Sequence, residues 1–212
     1  NSEATKDEAN KTVADIESAG GSAIKVQDDF TKPAEIAAAF AVVLQTFGGI
    51  DIAINTVGKV LKKPFLETTE EDYDSMAAIN SKAAYFFIQE AGRQLNDGGK
   101  ICTIVTSLLA AYTGYYSTYG GMKAPVEHFT RAASKEFGSR GISVNAVGPG
   151  PMDTPIFYGQ GDANSGEYFK NGSVLGGLTK IEDIVPLIKF LATDGWWITG
   201  QTIFANGGFV TR

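Results

Sequence analysis

The chain has 212 residues, 43% of them hydrophobic, without an apolar run long enough to span a membrane, which suits one domain around one core. A formal net charge of −6 without Lys/Arg clusters argues against a nucleic-acid partner. One cysteine, Cys102, and one histidine, His128, leave no disulfide framework and no His/Cys zinc site; with no signal-peptide pattern, the expectation is a cytoplasmic protein.

Residues 3–19 carry Ala4, Ala9, Val13 and Ile16 at helical spacing, stopped by Gly20 and Gly21. "SAIKV" (22–26) reads as a short strand. "KPAEIAAAFAVVLQTF" is a helix with Pro33 in its first turn and Gly48 at its end. "DIAIN" (51–55) is a strand, and 68–95 one long helix or two joined ones, capped by Thr68 or Thr69 with acids in the first turn. "KICTIVT" (100–106) is a strand, 117–138 a helix and "ISVNAV" (142–147) a strand. A Gly- and Ser-rich stretch follows, then a helix over 181–193 that Pro186 should kink, and a last strand, "QTIFAN" (201–206).

Short apolar strands alternating with helices predict βαβ units, hence a doubly wound α/β domain with a parallel sheet covered on both faces. Ligands of such sheets bind beyond the carboxyl ends of the strands. The segments to weigh are therefore "QDDF", "NTVG", "TSLLAAY", "VGPGPMDT" and "NGG".

Tyr119 and Lys123 lie four apart on a predicted helix and share a face. An ammonium beside a phenol favours the phenolate, so the pair suits a general acid, although Y-x-x-x-K alone is common on helix surfaces. The other strand ends add to it. Ser107 follows one strand, "NTVG" (55–58) another and "NAVGPGPMDT" (145–154) a further one, while Asn80 lies in the helix between the first two.

In this order the set resembles the short-chain dehydrogenase/reductase family, over about residues 3–209. The resemblance implies a Rossmann-like domain over 1–212 and NAD(P)(H)-dependent interconversion of a ketone and a secondary alcohol. By resemblance, Tyr119 protonates the carbonyl oxygen, Lys123 lowers the tyrosine pKa and bonds the nicotinamide ribose, and Ser107 holds the substrate oxygen. Asn80 anchors a water of the proton relay. Asn55 and Gly58 line the adenosine and ribose side, and Asp29 reads the adenine amino group, with Asp28 as the alternative. Pro149, Gly150 and Thr154 shape the nicotinamide end.

Three departures stand out. "NTVG" replaces the family's N-A-G. The Ser107-to-Tyr119 gap is 12, where 13 is frequent; Thr106 gives 13 but is read as a buried strand residue. The family's T-G-x-x-x-G-x-G phosphate loop is not found in the 212 residues. The resemblance places two strands and a helix ahead of Asn1, within a polypeptide of roughly 250 residues. Without them strand 22–26 has no neighbour and strand 51–55 loses one, leaving backbone groups unpaired. Residues 155–178 correspond to the family's mobile substrate lid. The end of the second strand, where NAD and NADP are told apart, is not among these residues; the opening helix favours NADP over NAD by resemblance to ketoacyl reductases.

His128 is five and nine residues from Lys123 and Tyr119, off their helix face, and reads as a packing or interface residue. Cys102 reads as a buried small hydrophobe. Tyr112, Tyr115, Tyr116, Phe157 and Tyr158 flank the site and suggest a pocket for a flat or apolar ketone. "DGWW" (194–197) suggests a subunit contact. The resemblance implies a homo-oligomer, a tetramer or dimer, paired through helices 70–95 and 117–138. Two rival readings are a 3-oxoacyl-carrier-protein reductase, which needs basic residues at the mouth where little beyond Lys170 stands, and a non-catalytic dinucleotide-binding scaffold.

Overall fold

Four short apolar runs in the computed structural model, which describes residues 3–159 and 169–211, become the strands of one parallel sheet. The strands are β1 (Ile52–Asn55), β2 (Lys100–Ile104), β3 (Ser143–Pro149) and β4 (Thr202–Ala205), in the order β1-β2-β3-β4. Registers pair Ile54 with Cys102, Cys102 with Asn145, and Val147 with Ile203.

Helices make every crossover. α1 (Glu3–Ser18) and α2 (Pro33–Phe47) precede β1. α3 (Glu70–Met76), a π-helical turn (Ala77–Lys82) and α4 (Ala83–Gln94) join β1 to β2. α5 (Ser117–Phe137) joins β2 to β3; α6 (Pro155–Tyr158) and α7 (Ile181–Ala192) lie between β3 and β4. Thr69 caps α3 in a capping box with Asp72, as the Thr-then-acids pattern predicts. α7 runs on through Pro186 without a break in the helix.

The period of two along each strand divides the core between the faces of the sheet. Ile101, Val144 and Ala53 pack with Ile36 and Phe40 of α2, Phe87 of α4, Leu95 just past its end and Ala133 of α5. On the other face, Cys102 and Val147 pack with Ile184 and Leu191 of α7. The doubly wound α/β architecture is thus as the βαβ pattern predicts. Among the described residues no helix is long and apolar enough to cross a membrane.

The strand expected at 22–26 is not formed. Residues 21–29 have no regular secondary structure, and Ile24 and Val26 are exposed. β1 pairs only with β2 among the described residues, so no ladder receives this segment. A β-prone run without a partner has no backbone bonds to hold it extended.

Candidate active site

The cleft lies beyond the carboxyl ends of β1, β2 and β3. Thr56, Gly58 and Val60 line it on the β1 side, Thr106 and Ser107 at the end of β2, and Pro149, Gly150 and Thr154 after β3. Tyr119 and Lys123, one turn apart on α5, line it from the helix side. The structure therefore brings Tyr119, Lys123, Ser107, Gly58, Pro149, Gly150 and Thr154 to one place.

Two neighbouring hydroxyls have different partners. The backbone N–H of Leu108 donates to Thr106 Oγ1 at 3.2 Å, which leaves the Thr106 hydroxyl proton free to turn. That hydroxyl stands beside the phenol of Tyr119 and favours its ionised form. Ser107 is buried, and its Oγ is engaged twice: it donates to the Gly148 carbonyl at 2.9 Å and accepts from Asn206 Nδ2 at 3.1 Å. Thr106 is buried as expected, but it is also the hydroxyl beside the tyrosine. The signal for it is the 13-residue gap to Tyr119.

Burial raises the Tyr119 phenol above its ordinary range, and the Thr106 hydroxyl works against that rise. Lys123 is 3% exposed, and burial pulls its ammonium down to about 8. It donates to the carbonyls of Ile104 at 2.9 Å and Val57 at 3.3 Å. Desolvation thus outweighs any lowering of the phenol by the lysine.

Asn80 sits fully buried in the π-helical turn, a local widening common at functional sites. Its side chain clamps the loop after β1 at one residue, accepting from Lys59 N–H at 3.1 Å and donating to Lys59 carbonyl at 3.0 Å. A Cβ on Gly58 would stand 3.0 Å from both Asn80 Oδ1 and Lys123 Nζ, so a side chain here would press on both groups. At the end of β1, Asn55 Oδ1 accepts from Val57 N–H at 2.9 Å, while its buried Nδ2 has no protein partner. An unpaired buried donor beside a glycine-lined cleft fits a polar ligand group there.

The adenine-side candidate lies apart. Asp29 is exposed; its carboxylate accepts from the Thr31 N–H at 3.0 Å and hydroxyl at 2.7 Å and pairs with Lys32. Asp28 is half-buried, with one carboxylate oxygen unpartnered. Neither lines the cleft.

Aromatic rings close the opposite side. Tyr116, Phe157, Phe169 and Phe209 line the cleft with Leu108 and Met152. Tyr112, Tyr115 and Tyr158 are exposed, and the Tyr158 hydroxyl donates to Asp153 at 2.6 Å. His128 is exposed on α5 and lines no part of the cleft. Cys102 is buried, its thiol pushed up to about 12 by desolvation, as an inert core residue should be. Within the expected lid, residues 160–168 lie outside the described residues.

Comparison with known proteins agrees with this geometry. A family model described as enoyl-(acyl carrier protein) reductase matches residues 2–210. A hydroxynaphthalene reductase-like protein, Arp2, of Metarhizium brunneum is 35% identical over 96% of this chain and 81% of its own. The crystal structure of a dehydrogenase from Burkholderia cenocepacia with bound NADP is 58% identical, with a TM-score of 0.97 over all of this chain and 82% of that one. An angucycline C-6 ketoreductase, LanV, also with bound NADP, is 30% identical with a TM-score of 0.89, covering 96% of this chain and 82% of its own. With a match along nearly its whole length and a Tyr–Lys pair at the mouth of a doubly wound sheet, the chain belongs to the short-chain dehydrogenase/reductase family of NAD(P)-dependent ketone/alcohol oxidoreductases.

Proposed function

We propose that this oxidoreductase uses Tyr119 as the proton donor to a ketone oxygen, with Thr106 as the second hydroxyl at that oxygen. The carrying observation is that Thr106 and Tyr119 line the same cleft wall, the Thr106 hydroxyl favouring the ionised phenol, with Lys123 buried one helical turn away. When bound, the nicotinamide supplies the hydride. Tyr119 gives its proton to the oxygen as negative charge grows there, and the Thr106 hydroxyl donates a hydrogen bond to the same atom. Ser107, fully engaged by Gly148 and Asn206, supports the site from behind instead of donating to substrate.

Lys123, Asn55 and Gly58 would hold the ribose side, and Pro149, Gly150 and Thr154 the nicotinamide end. Asn80 fixes the loop that carries Gly58 and Lys59, and would steady any water between it and Lys123. Asp29 is assigned to the adenine edge, which requires it to leave Thr31 and Lys32. NADP is preferred to NAD, supported by the NADP found in two similar structures. The substrate is a small ring-bearing ketone or its alcohol, supported by the aromatic wall and by relatives named for hydroxynaphthalene and angucycline reduction. Residues 155–159 and 169–178 would belong to a lid over it, within one domain.

We further propose a cytoplasmic homo-oligomer, dimer or tetramer, joined through α4 and α5. A groove lined by Tyr85, Phe86, Met122 and Phe129 on those helices supports this.

Tyr119→Phe tests the mechanism. Removing the proposed proton donor should cut kcat by about 10²–10⁴ while the NADPH dissociation constant stays within twofold. Turnover that survives the substitution would sink the assignment.

A further inference from the structure

The segment after β4 turns back into the cleft, and its geometry is set by one buried side chain. Asn206 Nδ2 donates to Ser107 Oγ at 3.1 Å and to the Val210 carbonyl at 2.8 Å. Its Oδ1 accepts from the Gly208 N–H at 3.0 Å, and the Phe209 N–H returns to its carbonyl at 3.1 Å. Gly207 and Gly208 supply the turn, with φ of 60° and 78°, a conformation that side-chain-bearing residues resist. A second strut comes from the segment before α7. The Leu175 N–H and the Ser173 hydroxyl both donate to the Gly207 carbonyl, at 3.0 and 2.9 Å.

The turn sets down the ring of Phe209. It lies 5.9 Å from the Phe169 ring, which lies 5.7 Å edge-on to Phe157, within the range of favourable aromatic packing. A Cβ on Gly172 would stand 2.7 Å from the Phe209 ring, so glycine there is what admits it. Phe209 lines both the catalytic cleft and an adjoining cavity bounded by Leu108, Ala111 and Tyr112. The ring therefore divides the place where the carbonyl reacts from the apolar space beyond.

We propose that Phe209 is a specificity-determining residue: with Phe169 and Phe157 it forms a three-ring wall that favours flat ring ketones over flexible aliphatic ones, and Ser107 and Asn206 position it. The inference rests on the ketone-reductase reading given above. A rigid bicyclic ketone meets the wall with its whole face and loses no internal rotation, whereas an alkyl chain must be ordered to do so.

The test compares 2-tetralone with 2-octanone, using NADPH and the full-length protein. The ratio of their kcat/KM values should fall about tenfold in Phe209→Ala and be kept in Phe209→Tyr, which retains the ring. Ser107→Ala should raise KM for 2-tetralone more than it changes kcat for either ketone, the mark of a displaced wall. An unchanged ratio in Phe209→Ala, or an equal loss for both ketones while Phe209→Tyr is intact, overturns the proposal. If the wild type reduces neither ketone, the ketone-reductase reading fails by itself. The wall is then judged by calorimetric binding of 2-tetralone, where equal affinity in wild type and Phe209→Ala overturns it and a tenfold weakening upholds it.

Discussion

β3 and β1 are parallel strands of one sheet in opposite surroundings. All seven residues of β3 are buried, between β2 and β4 and under α5 and α7. Of the four residues of β1, only Ala53 and Asn55 are buried; Ile52 and Ile54 are 44% and 41% exposed. The groups proposed for the chemistry gather where packing is closed: Thr106 beside Ser107, which bonds Gly148, and Lys123 under the end of β2. The residues assigned to the far end of the cofactor lie on the β1 side, where the resemblance places further strands ahead of Asn1, and Asp29 there pairs with its own neighbours. A site that must hold donors to fractions of an ångström needs the closed side.

The largest expected effect breaks this comparison directly. Ile101, 2% exposed on β2, should cost about 2–5 kcal/mol when cut to alanine, because the cavity it leaves cannot collapse. Ile52, 44% exposed on β1, should cost under about 1 kcal/mol on the same substitution. Urea unfolding of the 212-residue chain decides it: equal losses would mean that the two strands share one environment after all.

A second pair sharpens the comparison inside the site. Thr106→Ala should lower kcat by about 10²-fold, the usual cost of one donor to a developing oxyanion. Ser107→Ala should lower kcat less and act mainly on KM for ring substrates, since both hydrogen bonds of Ser107 go to the protein. Steady-state kinetics with one ketone and saturating NADPH reads both. A larger kcat loss in Ser107→Ala than in Thr106→Ala would return the role to Ser107.

The proposed exchange of Thr106 for Ser107 shows how far residues along the chain can be read. Helices and strands with their own apolar period were legible, and so was the Tyr119–Lys123 pair, because four residues on a helix fix a shared face. The choice between Thr106 and Ser107 was not. It is made by partners distant in the chain: Ser107 is held by Gly148, 41 residues on, and by Asn206, 99 residues on. Residues 22–26 form no strand for a related reason: their β-propensity is local, while a strand needs a neighbour, and the strand expected to pair with them is among those the resemblance places ahead of Asn1. Phe209 gave no local sign either; its place depends on Gly172 and on the turn that Asn206 ties to Ser107.

The smallest expected effect concerns Lys123, a charged group buried on the closed side. Its folded pKa is about 8, against an ordinary value of 10.5, and burial is the cause. Below about 8 both folded and unfolded chains carry the proton, and folding bears the full cost of burying the charge. Between about 8 and 10.5 the unfolded chain binds a proton that the folded one has released, so this group's contribution to stability rises with pH. The slope is at most about 1.4 kcal/mol per pH unit. Lys123→Met removes it: the variant's stability gain over wild type should be greatest near pH 7 and shrink steadily towards pH 10. Taking the difference between the two proteins cancels tyrosine and cysteine titrations common to both. Urea midpoints at four pH values measure it, and a gain that stays flat would mean that Lys123 keeps its charge throughout, its ammonium sustained by the Val57 and Ile104 carbonyls.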